Sequence, residues 1–99
     1  MRQILMKTTA YLRISTADQD IEKNKSDILK LANEKRLGYV EFIEEQISGK
    51  VSWRKRKLFA IIDDAKKDDV LIVSELSRLG RSMLEIMEIL SIASQKQMK

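Results

Sequence analysis

The feature that most limits the fold is a repeated change in hydrophobic period. From Thr8 to Ser15 apolar and polar positions alternate: Ala10, Leu12 and Ile14 point one way, Tyr11, Arg13 and Ser15 the other. That predicts a strand with one buried and one polar face. Thr16-Ala17-Asp18 then reads as a helix start, and Ile21, Ile28, Leu29, Leu31 and Ala32 recur near helical spacing. The helix should stop at Leu37-Gly38, since glycine suits the position just beyond a C-cap. Tyr39 to Ile43 reads as a second strand and Ser48-Gly49-Lys50 as a turn.

Ser52 is placed to cap another helix, with Leu58, Ile61, Ile62 and Ala65 as its stripe and Phe59 beside it. After the charged link Lys66-Lys67-Asp68-Asp69 comes Val70-Leu71-Ile72-Val73, an unbroken apolar run that predicts a central strand covered on both faces. Ser82 and Glu85 have capping-box spacing. The last helix carries Met83, Ile86, Met87, Leu90 and Ala93 on one face, with Leu84, Ile89 and Ile92 as a second set. Strand–helix alternation predicts an α/β domain with a mostly parallel sheet. The second apolar set, and a last helix with no strand after it, predict a fold incomplete at its C-terminus or a helix facing a partner subunit.

Composition narrows the chemistry. The 99 residues suffice for one small domain, with no proline, three glycines and no apolar run of membrane-spanning length. No signal peptide is legible, so a cytoplasmic location is expected. Cysteine and histidine are both absent, which excludes cysteine nucleophiles, Ser-His-Asp triads and zinc sites built on those ligands. A net charge of +4 permits a nucleic-acid partner without requiring one.

Three clusters hold the remaining chemistry. Tyr11, Arg13 and Ser15 share a strand face that ends at a sheet edge, where α/β sites form. A hydroxyl beside a guanidinium suits phosphodiester chemistry: one attacks while the other neutralises growing charge. Taken alone, these residues read more readily as a solvated strand end and a helix cap. The second cluster, Ser74 to Ser82, puts Arg78 and Arg81 after the apolar strand, beside a helix N-terminus that favours phosphate. Surface ion pairs and a tight turn at Gly80 are the plainer account. The third, Trp53-Arg54-Lys55-Arg56-Lys57, fits either a nucleic-acid backbone or the solvated start of a helix. Glu44, Glu45, Asp68 and Asp69 are the acids available to a metal-dependent nuclease or phosphatase, and read more simply as solvated charges.

In order and spacing, Tyr11-x-Arg13-x-Ser15-Thr16 with Gln19, then Ser48-Gly49, then Leu76-Ser77-Arg78-Leu79-Gly80-Arg81-Ser82, resembles the small serine site-specific recombinases, the resolvases and DNA invertases. The resemblance runs from about Lys7 to the end. It implies that Ser15 attacks a DNA phosphodiester and stays joined to the 5′ phosphate, with Arg13, Arg78 and Arg81 holding the phosphate and no cofactor or metal. It implies double-stranded DNA as partner, and a homodimer that becomes a tetramer during strand exchange. It also implies a long dimerisation helix and a helix-turn-helix reader beyond the part matched here. Gln19 and Tyr11 are supporting residues. A further family arginine falls at Arg54 counted from Gly49 and at Lys55 counted back from Leu58, so one residue is inserted; Arg54 is the choice, with Arg56 the alternative. The family's usual aspartate is Ser77 here, which leaves room for a catalytically weakened, DNA-binding regulatory relative. An invertase is the guess between inversion and resolution.

Overall fold

The computed structural model describes residues 7–14 and 21–98. Within them a three-stranded parallel sheet, ordered β2-β1-β3, is built from β1 (Thr8–Ile14), β2 (Glu41–Gln46) and β3 (Val70–Ile72). The helices are α1 (Ile21–Glu34), α2 (Lys57–Asp63) and α3 (Met83–Gln95), and short 3-10 turns occupy Trp53–Lys55 and Leu76–Arg78. The α/β class expected from the sequence is the one observed.

The chirality of parallel crossovers explains the layering. β1 to β2 steps to one side of the sheet, and β2 to β3 steps back past β1 to the other. Right-handed connections in opposite directions must run over opposite faces. Accordingly Ala10, Leu12 and Ile72 pack with Ile28, Ala32 and Val40 on the α1 side. Tyr11 packs with Trp53, Leu58, Ile62, Leu79, Ile86 and Ile89 on the other, against α2 and α3. Each large apolar side chain removed from water in these layers contributes about 1.5–3 kcal/mol.

Three expectations about strands are corrected. β1, not β3, is the central strand: it pairs on both sides, and Thr8 to Leu12 are buried on both faces. The face read as polar is closed because the Tyr11 ring fills the α2–α3 layer. Among the described strands β3 pairs only with β1, and Val70 and Leu71 are only partly covered. The second strand also starts later than expected, at Glu41, leaving Tyr39 exposed.

Helix details differ too. α1 ends at Glu34, and Arg36, at φ 55°, takes the left-handed position just beyond the helix, with Gly38 left-handed again at φ 79° two residues later. The Leu37 N–H reaches the Ala32 carbonyl at 2.9 Å, closing the helix end one turn early. Leu29 and Leu31 face outward. Ser52 caps the 3-10 turn rather than α2. α3 is rolled from its predicted face: Ile86 and Ile89 are buried, while Met83, Leu84, Met87 and Leu90 are exposed. No helix among the described residues is long and apolar enough to cross a membrane.

Candidate active site

Strand order reverses at β1, which puts a topological switch point at the carboxyl ends of β1 and β3, where open α/β sheets place their ligands. Arg13 lies at that end of β1. Its Nη1 donates to the Ile47 carbonyl at 3.0 Å, and the Ile47 N–H donates to the Ile14 carbonyl at 3.1 Å. The loop after β2 is thereby drawn across the end of β1. A Cβ added to Gly49 would lie 3.5 Å from the Arg13 guanidinium carbon, so even an alanine here would sit in van der Waals contact with it. Arg13 Nε is buried and has no hydrogen-bond partner among the described residues. The Arg13 guanidinium is thus held at the carboxyl end of β1.

Ser15, the residue expected to be the nucleophile, and Gln19 lie outside the described residues. Tyr11, expected on an open polar face, is 1% exposed. Its hydroxyl donates to Glu45 Oε1 at 2.9 Å, and the same oxygen accepts from the Lys57 N–H at 2.8 Å. Burial, then the Glu45 carboxylate, push the Tyr11 phenol well above its ordinary value of 10.0, against an opposing pull from Arg56. It stays a neutral donor that fixes Glu45.

The basic run does not behave as a solvated helix start. Trp53 is buried and donates from Nε1 to Glu88 at 2.8 Å. Arg54 lies over the Trp53 ring, 5.1 Å from its centroid, and pairs with Glu88 at 3.0 Å, so it is tied to α3. Arg56 is 3% exposed. Its Nε donates to the Val51 carbonyl at 3.0 Å and its Nη2 to Gly49 at 3.2 Å; Nη1 donates to Arg78 at 3.0 Å and Leu79 at 3.3 Å. Through Arg56 the loop beside Arg13 is joined to the turn that carries Arg78.

Arg78 closes the 3-10 turn after β3, with its Nε 4.0 Å from Glu75 Oε2. Ser77 Oγ donates to that same carboxylate at 3.3 Å. Arg81 is more exposed and pairs with Glu85 at 3.3 Å. At the N-terminus of α3, read from the sequence as a phosphate seat, one first-turn N–H is capped from within. Ser82 accepts from the Glu85 N–H, and Glu85 Oε1 accepts from the N–H groups of both Arg81 and Trp53 at 3.0 Å. Burial opposes charge on Glu85, yet the Arg81 and Trp53 N–H groups outweigh it and hold its carboxyl below the usual 4.5. Gly80 makes this possible, since a Cβ there would meet Glu85 at 3.2 Å.

The sequence drew attention to neither Glu45 nor Glu88 as an anchor of this edge. Pattern offers no sign of them, because each acts on a residue more than thirty positions away. The acids considered for a metal are dispersed. Glu45 is engaged by Tyr11 and Lys57, while Asp69 lies just before the opposite end of β3, accepting from the Lys7 and Lys66 N–H groups. No group of three or more among the described residues could hold a metal ion.

An open parallel sheet thus carries Arg13 at the end of its central strand, and Arg78 and Arg81 after the neighbouring strand. Residues 8–99 match the family model described as Resolvase, N terminal domain, and the chain belongs to that family. It is 37% identical over 89 residues to the DNA-invertase hin of Salmonella typhimurium, covering 87% of this chain and 42% of the relative. It is 34% identical over 87 residues to the transposon Tn2501 resolvase of Escherichia coli, covering 83% and 42% respectively. With the transposon Tn1546 resolvase of Enterococcus faecium it shares 31% identity over 85 residues, 86% of this chain and 41% of the relative. The chain thus spans about two-fifths of the length of these curated relatives.

Proposed function

We propose that the protein is a site-specific DNA recombinase, an invertase or resolvase, that cuts and rejoins DNA through a covalent phosphoserine. Ser15 Oγ attacks the scissile phosphorus. The bond to the 3′ oxygen breaks, the 5′ phosphate stays on Ser15, and the freed oxygen leaves as a hydroxyl after taking a proton. Rejoining reverses this, with a 3′ hydroxyl attacking the phosphoserine. One phosphoester replaces another, so no external energy source is needed. Arg13, Arg78 and Arg81 neutralise the charge on the non-bridging oxygens. Arg54 reaches the phosphate only by leaving Glu88.

The observation that carries this proposal is the Arg13 guanidinium on the central strand, two positions before Ser15 in the sequence, fixed at Nη1 and unpartnered at its buried Nε among the described residues. Double-stranded DNA is the partner. Dimerisation, tetramer assembly at synapsis and reading of the DNA site belong to a long helix and a helix-turn-helix module outside the matched domain.

The test is Ser15→Ala in the full polypeptide, on DNA carrying the sequences that flank its gene. Covalent protein–DNA adducts should vanish while DNA binding stays within about threefold of the parent. Adducts that persist in Ser15→Ala refute the nucleophile.

A further inference from the structure

Arg56 is the most deeply buried cation among the described residues, and no carboxylate there forms a salt bridge with it. Its partners are backbone carbonyls from two segments: Gly49 and Val51 from the loop after β2, Arg78 and Leu79 from the turn after β3. A buried guanidinium without a counter-ion is costly, and carbonyl dipoles offset that cost only while they stay aimed at it. Each segment is therefore held in place by the same group that needs the other segment. Arg13 contacts the first segment through the Ile47 carbonyl and lies against Gly49, while Arg78 belongs to the second.

We propose that Arg56 is a positioning residue: it clamps the Gly49 loop to the Arg78 turn and so sets the spacing at which Arg13 and Arg78 meet one phosphate. This rests on the recombinase function proposed above. The geometry separates Arg56 from a phosphate ligand. Four of its five N–H donors are already committed to carbonyls, and its side chain is covered. Lysine cannot replace it, because an ammonium on a flexible stem cannot grip four acceptors spread around a planar fork.

Arg56→Lys and Arg56→Gln in the full polypeptide test this, with two readouts on the same proteins. In the first, backbone hydrogen exchange should speed up by about tenfold or more in 47–51 and 76–81 together, while Ile28 and Ala32 on the α1 side keep the parent rate. In the second, covalent DNA adducts should form about ten- to a hundredfold more slowly, with DNA affinity within about threefold of the parent. A purely structural arginine would not produce that split between rate and affinity. Loosening of one segment only, or of neither, overturns the clamp. Coupled loosening with an unchanged adduct rate overturns the positioning role, and so does failure of both variants to fold. Parent protein that never forms an adduct sinks the recombinase function itself, and the positioning role with it; coupled exchange would then still establish the clamp.

Discussion

Replacing Glu85 with alanine should be among the most damaging single changes at an apparently surface position. The carboxylate accepts the Trp53 and Arg81 N–H groups at 3.0 Å, the Ser52 hydroxyl at 3.3 Å and the Arg81 guanidinium at 3.3 Å. Its side chain is only 10% exposed. Hydrogen bonds to a charged group contribute roughly 1.5–3 kcal/mol each. Water can replace the bond to the exposed Arg81, and that ion pair adds less than about 1 kcal/mol. It cannot readily reach Trp53, which is 1% exposed. The sum for Glu85→Ala is a loss of about 2–4 kcal/mol, and Glu85→Gln, which keeps one acceptor, should lose about half of it. The assay is urea unfolding followed by fluorescence of the chain's single tryptophan, Trp53. The acid side carries its own sign. The folded carboxyl sits below its ordinary 4.5, so its stabilisation is present above that value and is lost as pH falls through the folded pKa. The gap between parent and Glu85→Gln should therefore close in acid. A Glu85→Ala protein within about 0.5 kcal/mol of the parent, or a gap that stays constant into acid, would refute the reasoning.

Three further outcomes are expected. Arg36→Gly should stabilise the chain by roughly 0.5–1 kcal/mol in the same assay, because glycine carries no Cβ penalty at φ 55°. In a Tyr39→Phe background, alkaline titration should show no phenolate absorbance from Tyr11 through the ordinary phenol range until the fold is lost. Gly80→Ala should cost about 1–2 kcal/mol, since its methyl would press on Glu85 Cβ and Cγ at 3.2 Å, and thermal unfolding would read that loss.

What the sequence made legible follows from range. The Thr8–Ser15 alternation, the Val70–Val73 run and the Leu58/Ile62 stripe each express a local period, and each marks a real element. Which strand lies at the centre depends on neighbours. Val70–Val73 looked central because its letters are apolar. β1 is the buried strand because it pairs on both sides and the Tyr11 ring is enclosed by helices made later in the chain. The same gap explains the site. Arg13, Arg78 and Arg81 were visible as residue types after strands, and chain topology brings their segments to one edge. Arg56 read as a charge in a basic run and as the alternative to Arg54 for a further family arginine, because nothing near it in sequence reveals that carbonyls from residues 49, 51, 78 and 79 converge on it.

The central position of β1 also has a consequence for the order in which the molecule can be assembled. As the chain leaves the ribosome, the strand bearing Arg13 comes first. One side can pair once β2 has been made, but the other stays open until Val70–Ile72 emerges, and the Tyr11 ring lacks its Ile86 and Ile89 neighbours until α3 follows. Parallel pairings of such long sequence separation close slowly and leave an apolar strand uncovered meanwhile. The carboxyl end of β1, with Arg13, is thus translated early and enclosed late, so a nascent chain does not join the Gly49 loop to the Arg78 turn before β3 and that turn have been synthesised.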